Sequence, residues 1–501
     1  MGRFLSFFVS PHDAESLSVL VGNRFPRYAL SLFARIAETL EQIFGVRLGI
    51  VVPPHFDRNA HDQWRFGERF KTLKASGIAT SFRFQKYENP DEPRGFITHI
   101  DISGSNSKNR IGYSGTGLDV LDRNKTFLPA LGEAVERWAL SNFTPEPKVL
   151  TRSSQSALGG TALDLATLAG FSEEQRRNGH PRYTLPFRND TQFIWMRGFS
   201  LTQKKPLWLP LQLVSLKYAH ELPAHRKEPL LAPIISTGAA AGPDLASAIL
   251  NGVLEVIERD AFMIYWLNSL APEQVDIATI PDERFKKMSL LAERYNLEAY
   301  LMDLRTDVPA HTLCTVLLDR TRIGPSVVLG TATDLDFIAA AYKSFSQTLT
   351  ARAARRKLYD TYRDIVPKET KDLRYRSRLV FWSLPEQLEH FAFFLKGDTK
   401  AYAEIARRHP FQSLGGAQTN LERLLHFFQT EKYETAYAEI LPKEIKKKVG
   451  MPVVFVKIPA FQPVYLDESL PAFSGGRLRE VPRKIGKKPA ERGNTFPHPF
   501  P

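Results

Sequence analysis

Apolar positions recur along this chain at two periods, and their alternation lays out a mixed α/β protein. Residues 29–44 carry apolar side chains at helical spacing, and 46–52 read as a strand stopped by Pro53 and Pro54. Strand patterns follow at 97–102, 193–201, 207–213, 298–303, 311–318 and 326–331, and the strongest lies at 451–458. A long helix is predicted over 335–359, with Lys343, Gln347 and Arg352 on its face, and a charged helical segment over 384–448. Residues 152–188 are polar, and 175–182 read as an exposed loop. Two further helices are apolar around most of their girth. One holds Ala130, Leu131, Ala134, Val135, Trp138 and Leu140; the other holds Ile249, Leu250, Val253, Ile257, Phe262 and Ile264. Helices of that kind are buried.

Both apolar helices carry the motif Glu-x-x-Glu-Arg: Glu133, Glu136 and Arg137 in the first, Glu255, Glu258 and Arg259 in the second. Helical spacing puts each pair of acids on one face, with the arginine one turn after the first acid. A single such motif is common on solvated helices, where it forms a weak surface pair. Repetition, and apolar surroundings in both copies, argue for burial instead. Buried carboxylates are paired or bind metal. If the two helices meet, four acids and two guanidinium groups converge, and a hard divalent cation carrying a phosphate would neutralise the acids. Each helix follows a glycine-bearing stretch, Gly112 to Gly117 and Ser236 to Gly242, of the sort that lets backbone amides approach an anion. The echo suggests two similar half-sites facing each other.

The chain has 501 residues, too many for one ordinary core, and a net charge of +13. Basic clusters lie at 352–357, 443–448 and 477–488, but without a helix-turn-helix pattern, zinc spacing or interleaved aromatics. A nucleic-acid partner is therefore disfavoured; a nucleotide or an acidic peptide accounts for the charge as well. The lone cysteine, Cys314, sits in a strand pattern as a small core residue, rules out an internal disulfide and points to the cytoplasm. No apolar run is long enough to suggest a membrane span. The sequence lacks a P-loop, Cys-x-x-Cys, His-Glu-x-x-His and Gly-x-Ser-x-Gly. Beyond Gly475 and Gly476 it turns basic and proline-rich, an extended tail expected to order only by docking. Its last residue, Pro501, is a candidate general base through a carboxylate held in a cleft.

Together these residues resemble the YcaO family, in particular its azoline-forming cyclodehydratases, the D-proteins of thiazole/oxazole-modified peptide and bacteriocin biosynthesis. The likeness runs from about residue 80 to the end. It is carried by Gly115 to Arg137, by Ser236 to Gly242 leading into Glu255 to Ala261, by Val453 to Asp467 and by the Pro-x-Pro-x-Pro ending, Pro497 to Pro501. The resemblance implies an α/β YcaO-type fold: sheets backed by helices, with a non-P-loop ATP site between the two Glu-x-x-Glu-Arg helices. It implies ATP and Mg2+ as cofactors and cyclisation of Cys, Ser or Thr onto the preceding amide of a ribosomally made precursor peptide, with phosphorylation of the amide oxygen. Implied partners are a leader-binding E1-like (ThiF-like) protein and an FMN-dependent azoline dehydrogenase.

Carried over residue by residue, Glu133, Glu136, Glu255 and Glu258 resemble the family's metal ligands. Arg137, Asn251, Arg259 and Arg352 resemble its ATP- and phosphate-binding residues, and Pro501 its terminal carboxylate. Departures stand at Pro129, Ser247, Gln347, Thr350 and Thr116, where relatives often have Ser, an acid, Glu, Gln and Lys. They leave open a thioamide- or amidine-forming YcaO enzyme, or a catalytically weakened scaffold subunit. The expected organisation is a small lobe at 1–95 for partner or leader docking, a catalytic domain at 96–475 and a tail at 476–501 entering the active site.

Overall fold

The computed structural model describes residues 60–84, 92–103, 114–225, 228–408 and 415–500. The expected elements at 29–44 and 46–52 lie outside these, as does Pro501. The chain separates into two units, Met1–Ala75 and Ser76–Pro501. The described part of the first is a helix, Ala60–Ala75. Everything below concerns the second.

Three sheets build this unit. The first is antiparallel, with β1 (Ala79–Phe84), β2 (Phe96–Ile102) and β3 (Ser114–Asp119) in order. The expected boundary at residue 95 thus falls between two hydrogen-bonded strands. The second sheet holds β4 (Leu150–Ser154), β5 (Gln192–Ser200), β6 (Lys205–Pro210), β7 (Ala239–Ala241), β13 (Ala436–Glu439) and β14 (Val453–Lys457). Its order is β4-β5-β13-β14-β7, with β6 on β5. The third runs β11-β10-β9-β8-β12, from β8 (Glu273–Asp276), β9 (Glu298–Asp303), β10 (His311–Leu318), β11 (Val327–Asp334) and β12 (Thr399–Ala401).

Strand β10 is buried at every position, as its continuous apolar run requires of a central strand. Its residues alternate between two cores. Leu313 and Leu317 join Phe345 and Leu349, while Cys314, Val316 and Leu318 join Phe262 and Trp266. The buried thiol of Cys314 is pushed above its usual range by desolvation, so it is a core residue.

Four helices position the site: α1 (Phe127–Asn142), α2 (Leu245–Leu267), α3 (Phe337–Tyr362) and α4 (Arg477–Lys484). The Asp244 carboxylate caps α2 by accepting from the Ser247 amide at 2.8 Å. The first half of α2 packs Ile249, Val253 and Ile257 on Val454 and Val456 of β14. Its second half enters the aromatic cluster of Phe262 and Trp266 with Trp382 and Phe391. Its girth is apolar because it is covered over most of its surface, and no described helix is long and apolar enough to cross a membrane.

Two expectations change. The 175–182 stretch begins as a helix, Glu173–Asn178, closed by a capping box between Ser172 and Gln175. The tail begins with α4 rather than extended chain. Arg477 is 1 % exposed; it forks onto Asp260 at 2.7–3.1 Å and reaches Asp307 at 2.8 Å. Those charge-assisted bonds offset the helix's internal Pro482.

Beyond α4 the chain is extended and docked, as expected. Indole N–H groups of Trp266 and Trp382 donate to the Phe496 and Pro497 carbonyls at 3.0 and 3.1 Å. The buried His498 donates from Nε2 to the Tyr465 carbonyl at 2.8 Å. Burial, then the nearby Arg378, holds this imidazole well below its usual pKa. The folded state therefore prefers it neutral, and its stabilisation is complete above the unfolded value of 6.5 and falls as pH drops below that. Amide protection factors, with the slower base-catalysed exchange at low pH divided out, are expected to fall at residues 494–500 between pH 7.5 and pH 5.5 more than in β10, and H498Q is expected to flatten that dependence. An equal fall in protection in both segments would show that His498 does not gate docking.

Candidate active site between two acidic helices

The two acidic helices are held to their strands by the same contact made twice. The Thr116 amide donates to Glu133 Oε2, and the Gly238 amide donates to Glu255 Oε2 at 3.0 Å. In each case the donor lies seventeen residues before the acid. Four residues later in each helix the arginine returns to the same acid: Arg137 pairs with Glu133, and Arg259 with Glu255 at 3.2 Å. The repeated motif is thus a repeated strand–helix unit with a fixed amide–carboxylate–guanidinium chain.

Glycine makes these contacts possible. A side chain at Gly115 would strike the backbone of α1 at Ala130 and Ala134, so only glycine lets the helix lie on β3. Gly238 has φ of +93° and sits against the Val456 carbonyl, a conformation and a spacing that both exclude a β-carbon. The glycine stretches were expected to be anion-cradling loops. Ser114 to Gly117 instead forms β3, and the amide of Thr116 is already taken by Glu133. Gly112 and Tyr113 lie outside the described residues.

The acids differ in how fully they are neutralised. Glu258 is 8 % exposed and accepts from Thr331 Oγ1 at 2.6 Å, from the Thr333 amide at 3.2 Å and from Arg259. Glu133 and Glu255 each have one amide and one guanidinium, and desolvation still raises both above the usual carboxylate range. Glu136 accepts no hydrogen bond among the described residues. Desolvation raises it furthest, followed by the charges of Glu255 and Glu133; Arg137 and Arg259 oppose this only in part. Glu136 therefore senses acids and arginines of both helices, which places the two half-sites around one space.

The six groups do not close into a cage. Among the described residues no three His, Cys, Asp or Glu side chains are gathered so as to hold a metal ion. The acids stand as two pairs, each braced by its own arginine, because the strand amides fix Glu133 and Glu255 in place. Four carboxylates against two guanidinium groups leave two negative charges uncompensated. That fits Mg2+, which binds through one or two carboxylates and takes its other ligands from water and phosphate. Asn251 lies one turn before Glu255, is exposed and donates to the Ala241 carbonyl at 3.2 Å.

Arg352 is elsewhere. It is 2 % exposed, pairs with Glu92 and Asp319 at 2.7 Å each, and donates to the Pro325 carbonyl at 2.7 Å. Glu258 meets β11 at Thr331 and Thr333, whereas Arg352 meets the chain before that strand begins. Six residues of strand, roughly 20 Å, separate the two contacts. The expected phosphate ligand is therefore a neutralised structural arginine.

Two residues near the site were missed. Phe500 is buried, with its ring 4.4 Å from the Arg259 guanidinium and 4.9 Å from Phe262, and its carbonyl accepts from Arg378 at 3.3 Å. Lys457, on β14, donates from Nζ to the Thr237 carbonyl at 3.3 Å. A lysine interrupting the apolar run of 451–458 was the available signal for the second.

Replacing the unpaired acid is the direct test of this electrostatic picture. In chelator-treated protein, E136Q is expected to raise the melting temperature by roughly 2–4 °C, since it removes a part-buried acid that like charges surround and no donor answers. A lower melting temperature would show that Glu136 is stabilised by a partner.

Solved structures share the fold. A heterocyclase in complex with substrate and cofactor superposes with a TM-score of 0.69 at 21 % identity, covering 86 % of this chain and 57 % of that one. YcaO from Methanopyrus kandleri, bound with AMPPCP and Mg2+, gives a TM-score of 0.55 at 16 % identity, covering 80 % and 90 %. An uncharacterised protein of Methanothermobacter thermautotrophicus is 23 % identical over 245 residues, 49 % of this chain and 59 % of that protein. The chain spans less than two thirds of the length of the heterocyclase and of the archaeal relative. Residues 126–462 match the family described as YcaO cyclodehydratase, ATP- and Mg2+-binding. That match covers about two thirds of the sequence, so the chain belongs to the YcaO family, with ATP and Mg2+ as its cofactors.

Proposed function

We propose that the protein is an ATP-dependent cyclodehydratase that converts Cys, Ser or Thr of a ribosomally made precursor peptide to a thiazoline or (methyl)oxazoline. The observation that carries this reading is the pair of matched strand–helix units, with Glu136 unpaired in the space they enclose. Bound ATP and Mg2+ supply a phosphoryl group that turns the peptide's amide oxygen into a leaving group. In this reading Glu133, Glu136, Glu255 and Glu258 would hold the metal, and the hydrogen bonds and ion pairs that fix Glu133, Glu255 and Glu258 would keep those three from reorganising when charge develops. Arg137 and Arg259 brace the acids from one side and offer their remaining N–H groups to phosphate. Asn251 lines the same face one turn earlier. Arg352 has no part in this role.

The thiol or hydroxyl of the peptide attacks the preceding carbonyl carbon, the carbonyl oxygen leaves, and two protons must be removed. Pro501, one residue beyond the Phe500 that packs on Arg259, is our candidate for the base, through a carboxylate. A leader-binding E1-like protein would present the peptide, and an FMN-dependent dehydrogenase would oxidise the azoline.

The test is mass spectrometry of a Cys/Ser/Thr-rich precursor incubated with ATP, Mg2+, the protein and its leader-binding partner. Loss of one water per ring is expected, and E255Q and E258Q are expected to slow it by roughly 100-fold or more. Exchange of oxygen for sulfur would assign a thioamide-forming enzyme instead. No ATP turnover with peptide and partner present would leave a scaffold. Extending the chain by two residues past Pro501 is expected to stop ring formation while ATP still binds; unchanged ring formation would remove Pro501 from the chemistry.

A further inference from the structure

Lys457 is a cation near the acidic helices that the motif does not account for. It ends β14, whose residues alternate between two faces. Val454 and Val456 pack on α2, while Phe455 and Lys457 point to the opposite face. There the Lys457 ammonium lies 4.3 Å from the Phe455 ring centroid, which carries its aliphatic stem and holds its head. Its acceptor among the described residues is the Thr237 carbonyl, at 3.3 Å.

That carbonyl locates the group. Thr237 C=O and Gly238 N–H belong to one peptide unit. The N–H side donates to Glu255, and the C=O side accepts from Lys457. A planar trans peptide points the two in opposite directions, so Lys457 stands across a single peptide from the acid, on the order of 8 Å away. Glu255 is the one charge that draws on this ammonium, against strong desolvation that pulls it down to about 7. But Glu255 is already bound by Arg259 and the Gly238 amide. Lys457 is left with three donors, one neutral acceptor and no anion in contact. A part-buried ammonium in that state has donors to spare, and an anion that reaches it comes in beside Gly238, the residue whose amide holds Glu255.

We propose that Lys457 is a further nucleotide-binding residue of this site, its ammonium donating to a phosphate oxygen of ATP. The inference rests on the functional reading above and adds to it a ligand outside both Glu-x-x-Glu-Arg motifs. The peptide unit 237–238 then works as a spacer. It holds the cation and the metal-binding acid on opposite sides, so that phosphate binds Lys457 without displacing Glu255. Thr237 C=O keeps the ammonium in place before the nucleotide arrives, which limits the ordering cost of binding.

Two measurements on the full chain decide this. The first is calorimetric binding of ATP with Mg2+, without peptide, to wild type and K457M. Affinity is expected to fall by roughly 10- to 100-fold, the loss of one charge-assisted hydrogen bond. The melting temperature without nucleotide should be unchanged or higher, because a part-buried charge with no anion in contact has gone. The second is a footprint on wild-type protein, so it stands even if the variant fails to fold. Acetic anhydride should acetylate Lys457 more slowly when ATP and Mg2+ are present, with the exposed Lys287 as the unprotected control. Equal acetylation with and without ATP, or unchanged affinity in K457M, would overturn the assignment while leaving the cyclodehydratase reading intact. Wild-type protein that binds no ATP at all would overturn both.

Discussion

The contact on which the site depends is a backbone amide held by a helix carboxylate, made once at Thr116–Glu133 and once at Gly238–Glu255. It fixes the rotation and the height of each helix relative to its strand. With that register set, the arginine one turn later must return to the same acid, and the second acid of each motif must point into the space between. Glu136 is left there without a donor, and Glu258 is steadied from outside by Thr331 and Thr333 of β11. The acidity of the site is therefore a product of packing. The apolar girth of α2, packed between two sheets, is what holds so many part-buried charges together.

Much of this was legible in the sequence, for reasons that can be named. Period-two alternation marked β5, β9, β10 and β14, since each has at least one face in a core. The repeated Glu-x-x-Glu-Arg in apolar surroundings marked the half-sites, because a lone buried carboxylate is costly enough to be informative. The glycines were noticed but misassigned. Gly115 and Gly238 permit close contact between helix and strand, and a sequence alone does not separate that use from an anion cradle. The lysine that interrupts the run 451–458 was a visible signal, but what Lys457 does was not: that comes from Thr237, a residue 220 positions away that β7–β14 pairing brings beside it.

The departures from the family pattern also acquire physical content. Ser247 lies eight residues before Glu255, about 12 Å along α2 at the helical rise, and its amide serves the Asp244 cap. Thr350 is buried and bonds back to the Ser346 carbonyl, so it is committed to α3. Thr116 gives its amide to Glu133, and its hydroxyl is hydrogen-bonded with His99 Nδ1 at 3.2 Å. None of these three positions offers a free charge.

The tail binds the whole arrangement together. Asp260 follows Arg259 directly on α2, is fully buried, and is answered by Arg477 of α4. On the adjacent turn Arg259 supports the Phe500 ring. Residues 259 and 260 therefore receive the two ends of the segment 477–500, one through a buried ion pair and the other through a cation–π contact. Arg259 is shared: its guanidinium binds Glu255 and Glu258 on one side and Phe500 on the other. A planar, delocalised cation can do both, since its edge carries the hydrogen bonds and its face carries the ring. A lysine at that position could keep the charge but not both contacts. The arginine of the second motif thus couples the acidic pair to the docked tail, a task for which the arginine of the first, bound to Glu133 and the Ser114 carbonyl, has no counterpart.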